Sequence, residues 1–529
     1  MTQTTLVNSA TNNTPNSAAI NAAINVTSNK IDPCTLVLFG ASGNLARVKL
    51  IPGLFRLDTI GRLPAELKIL SVGRQLVALD AWRADIKTML DSKFKKGYDA
   101  AAFERFIARN FYHANPPTDP DAFSKLKHTL SDETIFPQNL AYFLSVRPVD
   151  FAPVVESLAK VGLTQEDKFW RRVVIEKPFG TDLASAVDLQ ASLTKNLKES
   201  QIYRIDHYLG KSALQNILLQ RFTNTILEPI WNNQYIDHVQ ITNTEMLGVG
   251  ERTTFYDTTG ALRDMIQSHI LQTLALTAME MPKDLTPHGV RDAKIKVLEQ
   301  IRPIPVNELS KHAFRAQYAA GEVQMSDGKT EKVPGYLEEI ARDNNGVKVN
   351  SVVETYAAMK LFIDNPRWQG VPFYIRTAKR LHEADTRIAI RFKKAPLQVN
   401  SQDQNWLIIG IQPRECIKME IQSKVPGLDV KTRSIQLDAA NRLPEDDTVD
   451  AYEALLLNLM QGDNSNYLHI SEAEAQWRLV DPVVKAWAAD KSPVHQYPAG
   501  SRDPEASKVI FESEDQFWRY SIELGGDKH

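Results

Sequence analysis

Apolar residues fall in two rhythms along this chain, and the rhythm changes near residue 200. An apolar run at 35–39 meets the turn residues Gly40-Ala41-Ser42-Gly43, after which apolar positions recur at helical spacing through Leu50, Leu54 and Leu57. A second run, 67–72, ends in Gly73-Arg74, and strand patterns at 140–146 and 172–175 follow with helical patterns between them. Strands alternating with helices predict a parallel, doubly wound sheet up to about residue 200. Beyond it, segments 237–242, 387–392, 407–411 and 417–421 alternate with period two, which predicts a large antiparallel sheet with one wetter face. Helical stretches at 260–279 and 451–460 are expected to cover its other face. The expected fold is therefore α/β plus α+β, with no internal repeat. A Rossmann-like domain is expected over 31–205, and a larger domain with a mostly antiparallel sheet over 206–529.

Composition narrows the classes. A chain of 529 residues is too long for one ordinary core. A formal net charge of -2 gives no bulk electrostatic reason to expect nucleic acid or an anionic membrane as partner. No apolar run approaches membrane-spanning length. The first 29 residues carry no charge and are rich in Asn, Thr, Ser and Ala, so residues 1–30 read as a disordered tail rather than a secretory signal. The two cysteines, Cys34 and Cys416, fit a reducing compartment, which makes the cytoplasm the expected location. No metal-ligand cluster is visible, and no metal is expected.

Chemistry concentrates in Arg204-Ile205-Asp206-His207-Tyr208-Leu209-Gly210-Lys211. An ordinary core strand or helix would not choose that mixture, because unpaired buried polar groups cost several kcal/mol, roughly 2–7 each. If 208–211 opens a helix, His207 and Lys211 lie one turn apart, an arrangement suited to a phosphate oxyanion. The rhythm change places this segment in an interdomain cleft. At the other end of the first domain, Gly40-x-x-Gly43 fits a dinucleotide-binding turn and, taken alone, a plain strand-to-helix turn equally. Arg74, at the end of the second strand, stands where an acid would select NAD. An arginine there favours the 2′-phosphate of NADP, with NAD as a secondary cofactor.

Taken together, these stretches resemble the glucose-6-phosphate dehydrogenase family over about residues 33–501. Residues 39–46 look like its nucleotide loop, Glu176-Lys177-Pro178-Phe179-Gly180 is similar to its motif beside the nicotinamide, and 204–211 matches its substrate signature. Residues 260–269 resemble its catalytic helix, and matches continue in order at 363–365, 370–373 and 480–482. The resemblance implies hydride removal from C1 of glucose 6-phosphate, giving 6-phosphogluconolactone and NADPH, the first step of the pentose phosphate pathway. It implies His269 as general base and Asp206 as its partner. It implies Lys177, His207, Tyr208, Lys211, Glu245, Asp264 and Lys379 as substrate contacts, and Gly40, Ser42, Gly43, Arg74 and Lys177 at the cofactor. Pro178 is expected to follow a cis peptide. A homodimer or homotetramer built through the large sheet is also implied.

The chain departs from the family pattern in several places. Asn44 stands where Asp is usual, Arg147 replaces the first proline of a Pro-Pro pair, Ser212 and Ser268 replace Glu and Asn, and Ala316 replaces Gly. Ala384 stands five residues beyond Lys379, where Lys or Arg is common. Losing one charge-assisted bond to substrate costs roughly 1.5–3 kcal/mol, so a raised KM is expected unless His382 or Arg387 compensates. The competing reading is a catalytically weakened or non-catalytic paralogue that binds nucleotide and sugar phosphate. Retention of His269, Asp206, His207, Lys211 and Lys177 favours an active enzyme.

Overall fold

The computed structural model describes residues 31–520, apart from 325–327, 348–349, 398, 400–403, 441–445 and 447–448. The tail read as disordered, 1–30, lies outside the described residues. The first sheet holds β1 (Cys34–Phe39), β2 (Lys68–Gly73), β3 (Asn110–Ala114), β4 (Asn139–Leu144), β5 (Arg171–Glu176) and β6 (Ile202–Ile205). Its order is β3-β2-β1-β4-β5-β6 and every pairing is parallel, the doubly wound arrangement that binds dinucleotides beyond the strands' carboxyl ends. Its central strands are buried on both faces, which explains continuous apolar runs such as that of β1.

Among the described residues the second sheet contains nine strands: β7 (Ile236–Thr244), β8 (Ala313–Ala319), β11 (Tyr356–Leu361), β12 (Phe373–Ala378), β13 (Asp385–Phe392), β14 (Trp406–Gln412), β15 (Cys416–Lys424), β16 (Thr432–Ala440) and β17 (His495–Pro498). A small separate hairpin, β9 (Gly321–Gln324) and β10 (Thr330–Val333), completes the numbering. The large sheet is ordered β16-β15-β14-β13-β7-β12-β11-β8-β17 and is antiparallel except where β7 meets β12 and β8 meets β17. One face packs on the helical stretch Leu262–Ala278, whose side chains share a core with Val239, Ile241, Ile375 and Ile388.

Three expectations are corrected. Over its central strands the other face of the large sheet is not wet: His238, Gln240, Thr242, Arg376 and Arg387 are buried. The C-terminal stretch lies over them, through Arg376–Asp503, Gln240 donating to the Phe517 carbonyl, and the Arg519 N–H donating to Gln240. Helix Ala451–Gln461 does not cover this sheet. Its Leu455, Leu456, Leu459 and Met460 complete the core of the first lobe with Leu36, Leu54 and Phe55. Nor does Tyr208 open a helix. Residues 206–211 form a turn after β6, and the helix begins with Ser212–Phe222.

Candidate active site

The octapeptide leaves the carboxyl edge of the first sheet through β6 and crosses to the second lobe. Arg204 anchors it from beneath: its side chain is buried, pairs with Glu199 at 2.6 Å and also donates to Gln190. Asp206, the next polar residue, faces the helical stretch Leu262–Ile270, which is wound as a π-helix. Such turns recur at functional sites and close hydrogen bonds between residues five apart, the spacing of Asp264 and His269. The stretch begins at a kink where Gly260 adopts φ +74; a side chain there would collide with the Glu354 carboxylate, which accepts the Leu262 N–H at 2.9 Å.

His269 Nδ1 lies 2.5 Å from Asp206 Oδ1, and both side chains are buried. A carboxylate accepts only, so Nδ1 carries the proton and Nε2 keeps its lone pair. Burial alone would raise the Asp206 pKa, but the His269 imidazole, by charge and hydrogen bond, holds it well below the usual range. Burial pulls the His269 pKa below its ordinary value; Asp206 opposes that and the Lys177 ammonium adds to it. Lys177 Nζ is 2.8 Å from His269 Nε2, 2.6 Å from the Asp264 carbonyl and 3.2 Å from Asp264 Oδ1. The Lys177–Pro178 peptide is cis.

A second cluster adjoins the first. The Tyr208 ring stacks on His269, centroids 4.2 Å apart and planes 18° apart, and Lys211 Nζ lies 3.6 Å from the Tyr208 ring centre. The His207 ring meets His269 edge-on at 4.7 Å. Burial lowers His207 to about 3, helped by the neighbouring His269 charge, so this ring is a neutral hydrogen-bonding group at working pH. Burial also brings Lys211 down to about 8. Glu245 and Lys379 form an ion pair where β7 and β12 end side by side. The fold thus brings Asp206, His207, Tyr208, Lys211, Lys177, Asp264 and His269 into one cluster, with the Glu245–Lys379 pair at the adjacent strand ends.

Gly40, Ser42, Gly43 and Arg74 stand apart, at the carboxyl edge of the first sheet. Gly40 has φ +75, and a Cβ there would lie 2.0 Å from the Ser145 carbonyl oxygen, so the turn admits only glycine. The helix that follows begins at 44 and presents its N-terminal end to this turn, while Arg74 is exposed just past β2. A turn closed against β4, a helix start and an unburied guanidinium fit a pyrophosphate and a 2′-phosphate.

Two further residues escaped the sequence reading. Gln412 accepts from Lys211 at 2.6 Å, and Tyr452 stacks on His207 with planes 8° apart while donating to Glu176. Burial pushes Glu176 up to about 7. Both lie more than two hundred residues from the octapeptide, and only the Gln412-Pro413 pair, also cis, marks either locally.

Comparison with known proteins gives consistent matches. Residues 37–216 match the family description "Glucose-6-phosphate dehydrogenase, NAD binding domain", and residues 218–519 match "Glucose-6-phosphate dehydrogenase, C-terminal domain". Glucose-6-phosphate 1-dehydrogenase of Treponema pallidum is 39% identical over 505 residues, covering 93% of this chain and 96% of the relative. That of Bacillus subtilis is 39% identical over 499 residues, covering 93% and 99%. A solved glucose-6-phosphate dehydrogenase in complex with its substrate glucose 6-phosphate superposes with a TM-score of 0.82 at 31% identity, covering 92% of this chain and 99% of that one. The glucose-6-phosphate 1-dehydrogenase of Mycobacterium avium superposes with 0.78 at 30% identity, covering 92% and 100%.

Proposed function

The chain belongs to the glucose-6-phosphate dehydrogenase family, and from that premise we propose that His269 and Asp206 carry its oxidation of glucose 6-phosphate. The reaction breaks the C1–H bond with its electron pair and the O1–H bond, and C1 and O1 become the lactone carbonyl. The strand–turn–helix cradle at Gly40, Ser42 and Gly43 would hold NADP, which would supply the hydride acceptor. His269 Nε2 takes the O1 proton. Asp206, 2.5 Å from Nδ1, fixes the tautomer and stabilises the imidazolium as it forms. Lys177 donates to the same Nε2, which places its ammonium beside the O1 whose proton His269 takes. A cation beside O1 stabilises the charge developing as the proton leaves.

His207, Tyr208 and Lys211 take the phosphate, Lys211 by charge and the others by hydrogen bonds. Glu245, Asp264 and Lys379 take the sugar hydroxyls, and Lys177 spans sugar and cofactor. Gly40, Ser42 and Gly43 form the turn under the pyrophosphate, and Arg74 takes the 2′-phosphate. The buried His269–Asp206 pair with a cation at Nε2 is the observation that carries the reading. Comparing kcat/KM across hexose 6-phosphates tests it: glucose 6-phosphate should lead, and a clear preference for another would contradict it.

We place the enzyme in the cytoplasm as a homodimer or homotetramer joined through the large sheet. Its two cysteines are free and buried, as a reducing compartment allows. Among the described residues no helix is long and apolar enough to cross a membrane. Light scattering and cell fractionation check both statements; a monomeric mass or a membrane-bound fraction would oppose them.

A further inference from the structure

The strand that ends just before Glu245 carries a polar side chain that the proposed reaction leaves unused. Asn243 lies on β7, directly opposite Thr386 of β13, and is 3% exposed. Its Nδ2 donates to Tyr208 Oη at 2.6 Å and to Thr386 Oγ1 at 2.8 Å, which uses both amide hydrogens. Its Oδ1 is buried without a partner, so the amide's orientation serves the two bonds it donates. An apolar residue of the same shape would avoid that orphaned oxygen.

The consequence falls on the Tyr208 hydroxyl, which has one hydrogen and two acceptor sites. With Asn243 donating into the oxygen, the phenol's hydrogen is left to be given elsewhere. The ring bearing it stacks on His269 and lies under the Lys211 ammonium. Thr386 also hydrogen-bonds the phenol, and with Asn243 donating into Thr386 Oγ1 its hydroxyl donates into Tyr208 as well. Without Asn243 that bond could reverse, turning the Tyr208 hydrogen inward and leaving an acceptor facing the incoming anion. We propose that Asn243 is a positioning residue for the substrate phosphate, setting Tyr208 as an outward hydrogen-bond donor. This rests on the reading of Tyr208 as a phosphate contact.

The test is a double-mutant cycle in the full-length enzyme, measuring kcat and KM for glucose 6-phosphate in wild type, Asn243→Leu, Tyr208→Phe and the double variant. Asn243→Leu should raise KM about two- to tenfold, the range of one ordinary hydrogen bond, with kcat within about twofold. Tyr208→Phe should raise KM, and adding Asn243→Leu to it should change nothing further. A raised KM in Tyr208→Phe with an unchanged KM in Asn243→Leu overturns the proposal and leaves the Tyr208 reading standing. An unchanged KM in Tyr208→Phe removes the phosphate contact and the proposal with it. Multiplying effects in the double variant also overturn it, because a residue acting only on packing would not depend on the Tyr208 hydroxyl. Should Asn243→Leu fail to fold, Asn243→Ser, too short to reach Tyr208, is held to the same outcomes.

Discussion

Replacing Asp206 by Asn removes one charge from the buried pair while keeping its shape. In the wild type the carboxylate accepts from His269 Nδ1 at 2.5 Å and from the Tyr208 N–H at 3.0 Å. Both bonds go to Oδ1, so an amide carbonyl in its place can accept both and the fold should survive. Opposite charges centred about 4 Å apart attract by about 4 kcal/mol at an effective dielectric of about 20. That attraction exists only once His269 carries the proton, so between about half and all of it is felt in the transition state. The expected loss in kcat is therefore about 30- to 1,000-fold, larger if the amide donates to Nδ1 and moves the proton to Nε2. The assay is NADP reduction at saturating substrate, with NADP affinity measured separately as a control. Asp206 also raises the His269 pKa against burial, so the acidic limb of kcat/KM should move to lower pH in the variant. A kcat within about threefold of wild type, or an acidic limb moved upward, would refute the reasoning.

Other consequences are equally direct. Lys211 must be charged to hold the phosphate and titrates near pH 8 in the free enzyme, so kcat/KM should fall as pH rises through that value; Lys211→Arg should abolish this basic limb, and a wild-type KM that stays flat to high pH would contradict the assignment. Ala384→Lys should lower KM about ten- to a hundredfold, because Arg387 is already engaged by Asp385, Glu383 and the Arg519 carbonyl and cannot substitute; an unchanged KM would remove the significance of position 384. Arg74→Ala should raise the KM for NADP about tenfold or more while leaving that for NAD nearly unchanged; equal effects on both would show that Arg74 does not read the 2′-phosphate.

How far the sequence carried the fold depended on where each element's partners lie. Strands β1, β2, β4 and β5 were legible because both their faces are buried and their apolar runs are continuous. β3 and β6 were not: β3 reads Asn-Phe-Tyr-His-Ala, and β6 is only Ile202–Ile205, with Arg204 in its middle. Arg204 is buried because Glu199 and Gln190 pair with it, a fact of tertiary structure. Polar alternation in β7 and β13 suggested a wet face, yet those side chains meet a segment more than a hundred residues later. Helix Ala451–Gln461 has an apolar face that fits either lobe, and nothing local says which it will join. The site was legible as motifs, because the octapeptide, the lysine before Pro178 and the helix bearing Asp264 and His269 are each compact in sequence. Gln412 and Tyr452 reach it singly from distant elements, so spacing could not reveal them; Asn243 lies two residues before Glu245, but its bond to Tyr208 is a fact of tertiary structure.

The most direct test of the account is NADP reduction by wild type and His269→Asn, followed as absorbance at 340 nm with glucose 6-phosphate. The wild type should reduce NADP. The variant, folded and still binding NADP, should lose on the order of 10²–10⁴-fold in kcat, as expected when a general base is removed. A wild type that binds NADP without reducing it, or a variant within about tenfold of wild type, would contradict the assignment of His269 as the base.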